Sequence, residues 1–109
     1  MPRAASNLDV FSAVAEPNRR AILDFLASEE RSVGDVVRTL GLAQPSVSKH
    51  LRVLREMDLV RARREGRHIL YRTNAAAIRP VQRWAETFER YWARQLARVK
   101  ERAETKRPR

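Results

Sequence analysis

Two short segments with apolar residues at helical spacing, joined by only three residues, constrain this chain most. The first runs from Val33 to Leu40 and is followed by Gly41, and the second is QPSVSKHLRVLRE, Gln44–Glu56. A glycine just past the last apolar position is typical of a helix end, and a proline fits the first turn of the next helix. Two helices joined by a short, glycine-containing turn form a helix-turn-helix arrangement. The pattern predicts this arrangement at the centre of the chain.

The second of these helices has two chemically different edges. At about 100° per residue, the apolar Val47, Leu51 and Leu54 share one edge. The short side chains of the first turn let a phosphate approach the free N–H groups at the positive end of the helix dipole. Glutamine can pair with adenine, serine can bond base edges or phosphates, and lysine or arginine can contact guanine or the backbone. The candidate DNA-binding residues on this helix are Gln44, Pro45, Ser46, Ser48, Lys49, His50 and Arg52.

Charge indicates the class of partner. The chain has 23 Lys and Arg against 13 Asp and Glu, a formal charge of +10 and a pI of about 11.4. Residues 44–72 alone hold eight basic and three acidic residues. This surplus favours a polyanionic partner, with nucleic acid first and an anionic membrane surface second. Without it, Gln44–Glu56 would read as an ordinary surface helix with solvated charges.

The flanking segments predict a mostly α-helical fold with one small β-hairpin. Short helices are expected on either side of Pro17, and a hairpin with its turn at Gly66 is expected to carry Arg63, Arg64 and Arg67. Helical spacing returns from Ala75 to about Lys106. We expect a flexible N-terminus at 1–7, a DNA-binding domain at 8–99 that includes a C-terminal dimerisation helix at 75–99, and a basic tail at 100–109.

At this point the chain resembles the ArsR/SmtB family of bacterial winged helix-turn-helix regulators. The resemblance covers roughly residues 8–73 and is carried by AEPNRRAIL, QPSVSKHL, LRE with the following LV, and RREGR with Tyr71. It implies a dimeric DNA-binding repressor whose fourth helix enters the major groove and whose hairpin, the wing, lies against the backbone or minor groove. On the wing, Arg63, Arg64 and Arg67 are therefore the candidate DNA-binding residues. Two residues depart from the family pattern. Ala43 replaces a capping hydroxyl, and Asp58 stands where glycine is common.

An aromatic stripe in the last helix predicts a dimer contact. Four of the seven aromatic residues fall within nine positions there, and large aromatic side chains dominate interfaces more often than they form ligand cages. A chain of this length also builds only a modest core alone. Because dimers of the family pair through the first and last helices, we expect the interface to contain Leu8, Phe11, Val81, Trp84, Phe88, Tyr91 and Trp92.

The residue types that metal sensing or catalysis would need are missing. Many members of the family bind metals through cysteines in the third helix or His, Asp and Glu in the last one. This chain has no cysteine, has Ser32 where the cysteine motif would begin, and has its two histidines at His50 and His68. No nucleophilic set or glycine-rich phosphate loop is present. We therefore expect no metal, no cofactor and no enzymatic activity.

The resulting hypothesis is a homodimeric, sequence-specific repressor bound to a two-fold DNA operator with half-sites about 10 bp, or a small multiple of that distance, apart. The alternatives are a sequence-independent architectural DNA-binding protein, a membrane-surface protein and a partner-binding module. An unidentified small-molecule or protein effector stays open. No segment resembles a signal peptide or a membrane span, so we expect a soluble protein of the bacterial cytoplasm that associates with the nucleoid when bound.

Overall fold

The computed structural model describes the backbone of residues 9–106 and the side chains of residues 9–104. It divides at Arg79 and Pro80 into two compact units. The N-terminal unit contains α1 (Val10–Ala15), α2 (Pro17–Ser28), α3 (Val33–Leu40), α4 (Gln44–Glu56), β1 (Val60–Glu65), β2 (His68–Thr73) and a 3-10 turn (Ala75–Ile78). The C-terminal unit consists of α5, which starts at the boundary (Arg79–Glu86), and α6 (Glu89–Lys106). The mostly α-helical fold with one hairpin is confirmed.

Side chains cap the first three helices. The Asp9 carboxylate accepts a hydrogen bond from the backbone N–H of Ser12 at 2.9 Å, and Glu16 accepts one from Arg19 at the same distance. At the start of α3, the Ser32 hydroxyl accepts a hydrogen bond from the backbone N–H of Asp35 at 3.2 Å. A cap of this kind stabilises a helix by roughly 1 kcal/mol. The starts of α1 to α3 are therefore fixed by contacts within three residues of the chain.

Two left-handed residues set the turns on either side of α4. Gly41 has a φ of 68° and its N–H donates to the carbonyl of Val37 at 2.9 Å, which ends α3 as predicted. Asp58 has a φ of 60°, so it takes the left-handed position predicted from its place after the helix. The Asn74 amide donates to the Asp58 carbonyl at 2.8 Å and fastens this turn. The first turn joins α3 to α4 in a helix-turn-helix, and the second leads from α4 into β1.

The core of the N-terminal unit draws on all six of its helices and strands. Val47, Leu51 and Leu54, the apolar edge predicted for α4, are at most 2% exposed. They belong to a cluster with Ala13, Ile22, Leu23, Leu26, Val36, Leu59, Val60 and Tyr71. Burying each large aliphatic side chain contributes about 1.5–3 kcal/mol. This cluster holds α4 in place from behind and leaves its other edge facing outward.

The hairpin is attached to the helices by backbone and side-chain bonds. Strands β1 and β2 pair antiparallel from Val60 with Thr73 to Glu65 with His68, and the turn is made at Gly66, as predicted. On the far side of β2, Arg31 and Tyr71 exchange two backbone hydrogen bonds of 3.0 and 2.8 Å. The Thr73 hydroxyl also donates to the Leu23 carbonyl at 2.7 Å. The base of the wing is therefore fixed to α2 and to the segment before α3.

The segment predicted to be helical from Ala75 is interrupted. It begins with the 3-10 turn, Pro80 follows in the first turn of α5, and α5 ends at Glu86. The N–H groups of Thr87 and Phe88 then bond to carbonyls three residues back, at 3.1 and 2.9 Å, before α6 starts. Such short tight turns keep the three- and four-residue apolar spacing, so periodicity did not reveal the break. Helix α6 ends at Lys106, as the helical spacing predicted, so it extends past the dimerisation segment assigned to residues 75–99.

Candidate nucleic-acid interface

Helix α4 presents one polar edge to solvent, and its bounds match the predicted segment. Its candidate contacts Gln44, Pro45, Ser48, Lys49 and Arg52 are exposed, while Ser46 and His50 are half-buried. The buried edge faces the other way and anchors the helix. The structure thus brings together on one surface the five exposed candidates of α4.

The first turn of α4 lacks a side-chain cap. Ala43 has the extended backbone of a capping residue but makes no side-chain bond to the helix, as its sequence predicted. The Val47 N–H donates to the Ala43 carbonyl at 3.0 Å, which closes the first helical bond. The N–H groups ahead of it have no intrahelical acceptor, as at the start of every helix. They and the helix dipole make this end of α4 suited to a phosphate.

His50 differs from the other candidates of α4 because it faces inward. Its Nδ1 atom is buried and has no hydrogen-bond partner among the described residues. The pKa of the Glu16 carboxyl is lowered mainly by the backbone N–H of Arg19, and the nearby His50 imidazole adds to this. His50 therefore lies close enough to the start of α2 to act on Glu16. This position fits a supporting role better than base contact.

On the wing, Arg63 is already engaged. Its Nε donates to Oε2 of Glu30 and its Nη2 donates to Oε1, both at 2.7 Å. This hydrogen-bonded pair lowers the pKa of Glu30 and raises that of Arg63. Arg64 and Arg67 are exposed and make no ion pair with any described side chain. Of the three predicted wing contacts, two have guanidinium groups open to a phosphate.

A cleft of about 500 Å³ lies between α4 and β2. Its lining consists of Val33, Ser48, Leu51, Arg52, Arg55, Glu56 and Tyr71. Sequence reasoning did not select Arg55 as a contact, although it lies three residues after Arg52 and seven after Ser48, which places all three on one helix face. A second groove of about 450 Å³ brings the wing residue Arg67 near the start of α3. Arg52 and Arg55 thus line the cleft beside β2, and Arg67 lies near the start of α3.

The residues predicted to form a dimer contact are mostly exposed in the single chain. Phe11, Trp84, Phe88, Tyr91 and Trp92 show 38–59% of their surface to solvent. Trp84 and Phe88 meet edge to face at 5.3 Å, and Phe88 stacks on Trp92 at 6.1 Å between ring centres. Val81 is half-buried, and Leu8 lies outside the described residues. The predicted interface therefore stays a prediction, with the contacting rings of Trp84, Phe88 and Trp92 as its physical basis.

Within residues 9–104, no three His, Asp or Glu side chains lie where they could hold one metal ion. In the described part of the chain, no helix combines the length and the apolarity needed to cross a membrane.

Comparison with known proteins identifies the relatives of this architecture. Residues 16–62 match the sequence profile described as "Bacterial regulatory protein, arsR family". The chain is 31% identical over 80 residues to the transcriptional repressor SdpR of Bacillus subtilis. This alignment covers 73% of this chain and 89% of SdpR. It is 42% identical over 67 residues to the nodulation protein NolR of Rhizobium meliloti, covering 62% of this chain but only 55% of NolR.

A solved structure shares the architecture over most of the chain. The ArsR-like transcriptional regulator from Rhodococcus sp. RHA1 superposes with a TM-score of 0.67 at 31% sequence identity. The match covers 90% of each chain.

Proposed function

We propose that this chain, which belongs to the ArsR family of bacterial regulatory proteins and is a DNA-binding transcriptional regulator, acts as a homodimeric repressor at a two-fold operator. The relative SdpR is itself named a transcriptional repressor, which supports repression as the direction of control. We place the action of this protein on chromosomal DNA in the bacterial cytoplasm. No cofactor enters the proposal.

The observation that carries the proposal is the exposed polar edge of α4 opposite its buried apolar edge. A helix anchored in this way fits the major groove with its exposed polar edge toward the DNA. Gln44 and Ser48 would read base edges, while Lys49, Arg52 and the uncapped N–H groups of the first turn would hold phosphates. Arg64 and Arg67 would contact the backbone beside the groove.

The second copy is proposed from the aromatic face of the C-terminal unit. Exposed Trp, Tyr and Phe residues at the centre of a surface are typical of interfaces, where a few aromatic anchors supply most of the binding energy. Two copies would present two α4 helices, and a two-fold protein matches a two-fold DNA site with half-sites about 10 bp apart.

Three variants test the roles within this interface, on an operator obtained by selection from random DNA. We expect Gln44→Ala and Ser48→Ala to weaken operator binding by about 1–3 kcal/mol each, with little change on random-sequence DNA. Arg67→Ala should weaken binding to both DNAs. It should also reduce the salt dependence of the affinity by the amount expected for about one phosphate contact. Affinities measured across a salt series distinguish these outcomes.

Equal losses on operator and random DNA for Gln44→Ala and Ser48→Ala would contradict the proposed base contacts. Failure of the selection to enrich any sequence would favour the architectural alternative. Competition between operator DNA and anionic lipid vesicles tests the membrane alternative, and preferential binding to vesicles would support that alternative instead.

A further inference from the structure

The pair formed by Glu30 and Arg63 differs from the other ion pairs of the N-terminal unit. It joins residues 33 positions apart through two parallel bonds of 2.7 Å. The pairs of Asp35 with Arg38 and of Asp58 with Arg61 join residues only three positions apart. A local pair adjusts a helix end or turn, whereas a long-range pair fixes one element against another. The Glu30 pair therefore bears on the placement of the wing.

Glu30 is held in position at its own end of the pair. The next residue, Arg31, is fixed to Tyr71 of β2 by two backbone hydrogen bonds. From there the Glu30 side chain reaches Arg63 on β1, and Arg72 on β2 acts electrostatically on the same carboxylate. The Glu30 side chain is 28% exposed and that of Arg63 is 51% exposed. The carboxylate thus connects the segment before α3 to the outer strand of the wing.

The geometry of the pair also matches the way in which arginine binds phosphate. A guanidinium presents two parallel N–H groups that fit the two oxygens of a carboxylate or a phosphate equally well. When Glu30 accepts both bonds, those two donors of Arg63 are unavailable to DNA. Because both side chains are partly exposed, the pair adds little to global stability. Its main effects are on geometry and on the number of free cations.

We infer that Glu30 is a positioning residue for DNA recognition. Its carboxylate occupies Arg63 in place of a phosphate and holds the wing at a fixed angle to α3 and α4, leaving Arg64 and Arg67 as the phosphate contacts of the wing. Arg63, a candidate DNA contact by sequence, remains bound to Glu30 in the complex with DNA. The inference rests on the proposed DNA-binding function.

The first test separates Arg63 from the free wing arginines. Affinity for random-sequence DNA is measured across a salt series with the full chain, as wild type, Arg63→Gln and Arg67→Gln. Each phosphate contact contributes about 0.9 to the slope of log affinity against log salt. We expect Arg67→Gln to lower the slope by about this amount and Arg63→Gln to leave it unchanged. An equal fall in both variants would show that Arg63 contacts phosphate and would overturn the inference.

The second test compares two carboxylates with the same charge. Glu65 lies 3.7 Å from Arg63 but does not hold it through two bonds, so Glu65→Gln is a charge-matched control for Glu30→Gln. We expect Glu30→Gln to reduce the ratio of operator to random-DNA affinity about fivefold, as expected for one misplaced contact. The slope on random DNA should rise by about 0.9, because freed Arg63 binds a phosphate. Glu65→Gln should change neither quantity.

The double variant Glu30→Gln/Arg63→Gln completes the design. Without Arg63, the slope on random DNA should return to the wild-type value, while the affinity ratio stays low because the wing has lost its attachment. Circular dichroism and thermal unfolding confirm that each variant is folded. If Glu30→Gln and Glu65→Gln give the same affinity ratio and the same slope, Glu30 has no positioning role.

Failure of the inference can be distinguished from failure of the proposed function. If wild-type protein shows no preference for any DNA sequence, the proposed specific regulation fails. The comparison of Arg63→Gln with Arg67→Gln still gives a result on random DNA in that case, because it requires no operator.

Discussion

The two units of this chain differ in how far they bury their apolar side chains. The largest fully buried side chains all lie between Ile22 and Val60 in the N-terminal unit. Between Pro80 and Glu104 no side chain is fully buried, and Trp92, Leu96 and Val99 are 49–70% exposed. The N-terminal unit therefore forms a complete core from its own residues. The C-terminal unit has an apolar face that its own fold does not cover.

Charge does not explain this difference. Residues 1–79 contain 14 basic and nine acidic residues, and residues 80–109 contain nine basic and four acidic ones, so each unit has the same surplus of five positive charges. The units differ instead in the burial of their apolar side chains. We interpret the first as the unit that reads DNA and the second as the unit that pairs two chains.

The largest effect is expected from the same substitution made in both units. Leu54 is fully buried in the first unit and Leu96 is 70% exposed in the second. Leu54→Ala should lower the free energy of unfolding by about 2–5 kcal/mol, since it leaves a cavity behind α4. Leu96→Ala should change it by less than about 0.5 kcal/mol in the monomer. Chemical denaturation at a concentration where the chain is monomeric gives both values. Equal losses of unfolding free energy in the two variants would contradict the difference in burial between the two units.

A smaller effect, on association rather than folding, is expected at Trp92. Trp92→Ala should weaken dimerisation by about 2 kcal/mol, or roughly 30-fold, as expected for a central tryptophan anchor. Arg94→Ala is the control, because Arg94 lies about 160° around the helix from Trp92. Sedimentation equilibrium measures both dissociation constants. An unchanged constant for Trp92→Ala would show that the aromatic face does not join the chains.

The smallest effect is expected at the start of α4 in the N-terminal unit. Ala43→Ser places a hydroxyl where the extended backbone already has the form of a helix cap. We expect this change to raise the free energy of unfolding by about 0.5–2 kcal/mol. Ala43→Val offers no hydroxyl and serves as the control in thermal unfolding. If both variants have the same stability, the uncapped start of α4 is not a weak point of the unit.

Local features of the fold were predictable from the sequence. The apolar stripe, Pro45 and Gly41 were sufficient to give the bounds of α4, and Gly66 gave the hairpin turn. The caps at Asp9 and Glu16 were not predicted. An acidic residue directly before the first residue of a helix is nevertheless a signal that the sequence contains. In each case the interaction lies within a few residues of the chain, which is why sequence spacing carries the information.

Long-range features were not predictable in this way. No spacing rule connects Glu30 to Arg63, because their contact depends on how the segment before α3 lies against the hairpin. From the sequence alone, Arg63 was therefore a candidate DNA contact like Arg64 and Arg67. The inward position of His50 has the same origin, since the burial of its Nδ1 atom depends on the tertiary packing of α4. Tertiary packing determines which candidate side chains remain available to a ligand.

The most direct test of the account is the stoichiometry and symmetry of the complex on a selected DNA sequence. Full-length protein is mixed with duplexes carrying the selected site, and analytical ultracentrifugation gives the number of chains bound to each duplex. A homodimeric repressor predicts that two chains bind a site with two inverted half-sites about 10 bp apart, or a small multiple of that distance. One chain bound to a site without two-fold symmetry would contradict it.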